Sequence, residues 1–193
     1  MKICSFDPSS TRNLGYAVAS LENTKGELYS QIKAGTFVLE PKEERPLLLW
    51  SIFQIIDSFL SENCPELVII EQTGSFSGGF ITSQISNCIG VILACCGKHK
   101  IKVITVYPTH VKKIITGKGK ATKSEMRKSV IGLLQQLKID NTKYNEEHTY
   151  DAIANILTFM HESKDINFEI KIPEICIDKK IKNAKNKGHK ISN

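Results

Sequence analysis

Leu67-Val68-Ile69-Ile70-Glu71 is the stretch on which the fold turns. Four apolar residues in succession do not alternate as a half-exposed strand would. They fit a central strand covered on both faces, and such cover requires helices above and below the sheet. Glu71, set directly behind Val68-Ile69-Ile70, is a costly charge unless it is paired or bound to a metal. Working outward towards the N-terminus, Leu47, Leu48, Ile52, Ile55, Ile56, Phe59 and Leu60 recur at helical spacing over residues 44–62. Before them, residues 2–7, 14–21 and 29–39 read as strands separated by short turns, which predicts an antiparallel meander.

Beyond Glu71 comes a Gly/Ser loop over 74–79, then a helix over 81–99. Residues 101–106 read as a second buried strand. Pro108 opens a short helix to 115, a lysine-rich loop covers 116–120, and a helix runs from Thr122 or Lys123 to about 137. A last helix over 146–162 carries Ile153, Ile156, Leu157 and Met160 on one stripe. The expected class is α/β: a mixed five-stranded sheet with helices on both faces, the arrangement of the ribonuclease H-like fold. One domain is expected over 1–162, followed by a lysine-rich, partly disordered extension over 163–193.

Among 193 residues, 26 Lys and Arg face 20 Asp and Glu, a net charge of +6. That charge is unevenly placed: residues 98–128 carry +9, residues 178–193 carry +5, and the remainder carries −8. A basic segment on an acidic body suits a polyanionic partner, although a solvated lysine-rich surface reads the same way. The cysteines at 4, 64, 88, 95, 96 and 176 form no C-x-x-C pair, and those at 4, 88, 95 and 96 lie in apolar stretches. Free thiols in a reducing compartment are expected, not disulfides or a zinc site. No apolar run is long enough to span a bilayer and no basic-then-apolar leader is present. A cytoplasmic protein, bacterial or phage-encoded, is expected, with an organelle left open.

Asp7 closes the first strand and Glu71 closes the buried run, while His148 and Asp151 stand three residues apart near the start of the last helix. Groups at strand ends project into the crevice where open sheets bind ligands, and i, i+3 spacing sets His148 and Asp151 on one helix face. Each has a plainer reading: a turn-starting Asp before Pro8, a strand-end charge, a helix-start acid. Together, an oxygen-rich set with one imidazole suits Mg²⁺ or Mn²⁺, the ions of in-line phosphoryl displacement. The run from Gly117 to Lys120 lacks P-loop spacing, so nucleotide binding there is unsupported.

Four motifs in order carry a family resemblance: Ser5-Phe6-Asp7-Pro8-Ser9-Ser10-Thr11 with Gly15-Tyr16; Leu67 to Gln72; Pro108-Thr109-His110-Val111-Lys112-Lys113 with Thr116-Gly117-Lys118-Gly119-Lys120-Ala121-Thr122-Lys123; and His148-Thr149-Tyr150-Asp151-Ala152. Over residues 1–162 the chain resembles the RuvC family of Holliday-junction resolving endonucleases. The resemblance implies a catalytic and metal-binding set of Asp7, Glu71, His148 and Asp151, with Mg²⁺ as cofactor and Mn²⁺ substituting. It implies that Lys112 and Lys123 grip phosphates near the cut, with Lys113, Lys118 and Lys120 in the same DNA-binding segment. It further implies a homodimer joined through the helix over 81–99, acting on four-way junction DNA. The stripe Ile85, Cys88, Ile89 and Ile92 serves equally as dimer contact or as core. Family members place an aromatic wedge soon after the catalytic Glu-Gln; here Thr73 and Gly74 intervene, and Phe76 is the aromatic expected to stack at an opened junction. The expected activity is symmetric paired nicking in recombination and repair. The alternatives are a nuclease for RNA–DNA hybrids or branched DNA, and a junction-binding protein without catalysis.

Overall fold

Val68, Ile69 and Ile70 are completely enclosed because their strand lies inside a five-stranded sheet. A computed structural model describes residues 1–8, 13–24, 27–39, 44–72 and 79–163. The strands are β1 (Lys2–Asp7), β2 (Asn13–Thr24), β3 (Glu27–Val38), β4 (Leu67–Glu71) and β5 (Lys102–Val106), in the spatial order β3-β2-β1-β4-β5. The expected meander is present, with β1 and β3 antiparallel to β2. β4 runs parallel to both β1 and β5. The mixed sheet of the ribonuclease H-like arrangement is therefore what the chain forms.

Alternation along the strands builds two cores. On one face, Cys4, Phe6, Val68 and Ile70 meet Ile52, Ile56 and Leu60 of α1 (Arg45–Asn63) and Cys88, Ile92 and Cys95 of α2 (Gly79–Lys98). On the other, Ile3 and Ile69 meet α3 (Pro108–Thr116), α4 (Lys123–Gln136) and α5 (Glu147–Glu162). Each enclosed Val, Leu or Ile contributes about 1.5–3 kcal/mol, so the two-sided cover of β4 accounts for its unbroken apolar run. The five cysteines among the described residues are free thiols. Burial pushes the Cys4 and Cys88 thiols up to about 12, which fits small apolar core residues better than reactive groups. Among the described residues no helix is long and apolar enough to cross a membrane.

One expectation needs correction, and one open alternative is settled. The strand expected over 101–106 is an edge strand, not a buried one: among the described residues β5 pairs only with β4, and Lys102 and Thr105 are exposed. The stripe on α2 is core: Ile85, Cys88 and Ile92 are buried, and Ile89 packs against the same cluster. The face of α2 turned outward carries Ser86, Gly90, Leu93 and Ala94 instead.

The link from α3 to α4 is tightly specified. Gly117 closes α3 at φ 78°, a left-handed conformation that a glycine adopts without cost. Thr122 caps α4 reciprocally: its hydroxyl accepts from the Glu125 N–H at 3.3 Å, and the Glu125 carboxylate accepts from the Thr122 N–H at 2.7 Å. Lys112 and Lys123 are thus carried on helices whose ends are fixed.

Candidate active site

Gly15 decides where α5 can sit. It pairs with Asp7 across β1 and β2, and a Cβ on it would lie 2.2 Å from the His148 carbonyl oxygen. Only a residue without a side chain lets the first turn of α5 rest directly on the sheet beside Asp7. A second contact, between the Thr36 and Thr149 hydroxyls at 3.1 Å, ties the same turn to β3. The approach to α5 is anchored by the Tyr144 hydroxyl, which donates to the Ile32 carbonyl at 2.7 Å. The Tyr150 hydroxyl in turn donates to the Tyr144 carbonyl at 2.5 Å.

This seating brings ligand atoms of Asp7, His148 and Asp151 within 4.8 Å of one another. His148 Nδ1 and Asp7 Oδ2 are 3.1 Å apart. Asp7 is buried, whereas His148 and Asp151 are half-buried at the opening. Glu71 ends β4, the strand beside β1, and is half-buried. It stands outside the group of three but within their field. Burial first, then the charges of Asp7 and Asp151, push its carboxyl up to about 8. Burial and then Asp7 push Asp151 up to about 6. The hydrogen bond to Asp7 raises His148 above its ordinary value and favours the imidazolium.

Carboxyls held together at such cost fit a divalent cation. The donors are hard oxygens plus one imidazole, the ligand chemistry of Mg²⁺ and Mn²⁺, and a positive partner would offset the burial and mutual repulsion that raise the carboxyls. Lys112 and Lys123 supply part of it, since both lower Glu71 and Asp151. Lys112 is half-buried, and Lys123 is exposed, in contact with Glu147. Lys113 and Lys120 are exposed on the same segment, and Lys118 meets Glu125 at 3.2 Å. Phe76 and the residues after 163 lie outside the described residues.

The residues expected from sequence are therefore gathered at one end of the sheet, with Asp7, His148 and Asp151 within 4.8 Å of one another and Glu71 alongside. Local sequence patterns offered no reason for Gly15, Thr36 or Tyr144, which seat the helix that carries two of the candidate ligands. Gly15 had a signal as part of a motif, but its meaning depends on a helix more than a hundred residues away. His99 and His110 also have partners that no local spacing predicts: Asp57 and Glu162, each at 2.7 Å.

An acid cluster with one imidazole, at the carboxyl end of the central strands of such a sheet, defines the metal-dependent nucleases of ribonuclease H-like architecture. Within that class, the model of the family "Crossover junction endodeoxyribonuclease RuvC" matches residues 3–159. The chain belongs to this family. It is 28% identical over 154 residues to the crossover junction endodeoxyribonuclease RuvC of Petrotoga mobilis, covering 80% of this chain and 90% of that protein. It is 32% identical over 135 residues to that of Carboxydothermus hydrogenoformans, covering 69% and 82%. The structure of Thermus thermophilus RuvC shares the fold with a TM-score of 0.68 at 24% identity, covering 82% of this chain and 92% of that one.

Proposed function

We propose that this protein is a metal-dependent endonuclease that resolves four-way DNA junctions by paired symmetric nicks. The observation that carries the proposal is the convergence of Asp7, His148 and Asp151 within 4.8 Å, in a chain of the RuvC family. Asp7, Asp151 and His148, with Glu71 beside them, are the residues that would hold Mg²⁺, or Mn²⁺ in its place. When bound, such ions supply Lewis acidity at a phosphoryl oxygen and activate water at neutral pH.

The remaining work falls to the chain itself. His148, through its 3.1 Å contact, orients the Asp7 carboxylate and holds a proton at its ring. Lys112 and Lys123 offset the charge that develops on the phosphate as water attacks in line and the sugar oxygen departs. Lys123 exchanges its exposed Glu147 contact for the DNA. Lys113, Lys118 and Lys120 continue the cationic track, and Phe76 stacks on a base at the opened junction. A homodimer through the outward face of α2 joins two such sites. That face presents Gly90 and Leu93, and large apolar side chains of the neighbouring α1, Leu47 and Trp50, are also exposed. Two-fold symmetry then yields paired cuts.

Labelled four-way junction and linear duplex, each titrated with Mg²⁺, test the proposal. The junction is expected to be cut in symmetric positions and the duplex spared. Asp7→Asn is expected to abolish cleavage while retaining binding. Binding of the junction without cutting at any Mg²⁺ concentration would refute the nuclease reading, and equal cutting of both substrates would refute junction selectivity.

A further inference from the structure

Beneath the acid cluster lies a second polar group that the proposed reaction does not use. Along β1, Ile3, Ser5 and Asp7 alternate onto the face covered by α5. Along α5, His148, Asp151, Asn155 and Thr158 fall at i, i+3, i+7 and i+10, which is one stripe. The contact of His148 with Asp7 pins the upper ends of these two rows together. One helical turn below Asp151 is Asn155, and two strand residues below Asp7 is Ser5; both steps are about 6 Å. A polar seam thus continues from the acids down between strand and helix.

Ser5, Asn155 and Thr158 are completely buried. Among the described residues, neither the Ser5 hydroxyl, the Thr158 hydroxyl nor either polar atom of the Asn155 amide has a hydrogen-bond partner. Leaving a buried polar group unsatisfied is destabilising, because the group gives up its hydrogen bonds to water without replacement. Around them α5 fills its buried positions with Ala152, Ile153, Ala154, Ile156, Leu157 and Met160, so an apolar residue at 155 would suit packing better. Four polar atoms without protein partners beside a carboxylate pair are the setting in which internal water, with its two to four hydrogen bonds, is retained.

We propose that Asn155, with Ser5 and Thr158, forms a hydrated positioning layer beneath the metal-binding carboxylates, holding Asp7 and Asp151 in the orientation that binds the cation. The inference rests on the metal-site reading above. Asn155 touches no reacting atom. It acts through the carboxylates, as outer-layer partners of metal ligands do, and its loss is expected to weaken metal affinity about ten- to a hundred-fold.

The test uses the full chain and Mn²⁺ alone as probe, with affinity measured by calorimetry and stability by urea unfolding in chelator. Asn155→Leu, which keeps the branching of the side chain and replaces its two polar atoms with methyl groups, is expected to leave the metal-free protein as stable as wild type or more so. Its Mn²⁺ dissociation constant is expected to rise ten-fold or more. Asn155→Ala and Ser5→Ala are expected to move affinity in the same direction, which keeps the inference open to refutation if the leucine variant does not fold. Folded variants that bind Mn²⁺ within two-fold of wild type would overturn it, as would a loss of metal-free stability with affinity unchanged. A wild-type protein that binds no Mn²⁺, or binds it unaltered by Asp7→Asn, would overturn the metal-site reading itself.

Discussion

Replacing Gly15 with alanine inserts one methyl group where the structure has no space for it. The new carbon would lie 2.2 Å from the His148 carbonyl oxygen, 2.6 Å from its carbonyl carbon and 2.9 Å from its Cβ. An ordinary carbon–oxygen contact needs about 3.3 Å or more, so the first turn of α5 must retreat by about 1 Å. The obstacle is backbone, which cannot rotate aside as a flexible side chain would. Two contacts depend on that turn: His148 with Asp7 at 3.1 Å, and Thr149 with Thr36 at 3.1 Å. A retreat of about 1 Å takes both beyond hydrogen-bond range. Overpacking of this kind costs about 1–3 kcal/mol, and a misplacement of about 1 Å in a catalytic group costs about a hundred-fold in rate. Urea unfolding in chelator, Mn²⁺ affinity and single-turnover junction cleavage read the three consequences separately. Gly97→Ala is the control: its Cβ would meet nothing within 4 Å on α2, so it should be neutral or stabilising by up to about 1 kcal/mol. If Gly15→Ala unfolds, binds Mn²⁺ and cleaves like the control, the seating of α5 on Gly15 is not what places His148 and Asp151.

In the metal-free protein, stability should fall as pH rises. The Glu71 carboxyl ionises near 4.5 in the unfolded chain and near 8 in the folded one, so the folded state holds the extra proton between those values. Its contribution is whole below about pH 4.5 and spent by about pH 8, at up to about 1.4 kcal/mol per pH unit. Asp151 adds a loss of the same sign between 3.8 and about 6. Urea titrations in chelator from pH 5 to 9 should show the decline, and Glu71→Gln should flatten it; an unchanged slope in that variant would assign the effect elsewhere. Thr122→Ala removes the cap that starts α4 and should cost about 1 kcal/mol by the same unfolding assay. A loss near zero would mean that the Glu125 side chain alone sustains the cap.

The sequence carried the parts of this structure that are local. The unbroken run at 67–70 specified a strand covered on both sides, and the change of period at residue 44 specified a helix, because each signal is complete within one element. The order of strands is not local. Residues 101–106 hold four apolar residues, and β5 lies at an edge; Lys102 and Thr105, which interrupt the run, are its local sign of exposure, but they do not say which strand it pairs with. The α2 stripe shows the same limit from the other direction. Its residues promised an apolar face, but only the position of α1 and the sheet shows that this face is core. The candidate ligands were legible because acids at strand ends and at i, i+3 on a helix follow simple geometry. The reason they meet was not, since it depends on the fit of Gly15 beneath His148, a contact between segments far apart in the chain.

The separation of charge along the chain acquires a sequence of events from this geometry. Glu71 stands at about 8 even though Lys112 and Lys123 already act on it, so the chain's own lysines do not neutralise the site. A DNA phosphate brought to the same place adds negative charge, which raises the carboxyls further and repels the strand. Under the proposed function, cations would occupy the acids before or together with the scissile phosphate, and the lysines of residues 112–123 would then hold a backbone that the acids no longer repel. On that reading the basic segment and the acidic body act in succession rather than in opposition: the acids would recruit the cation, and the cation would make them compatible with the DNA that the lysines bring.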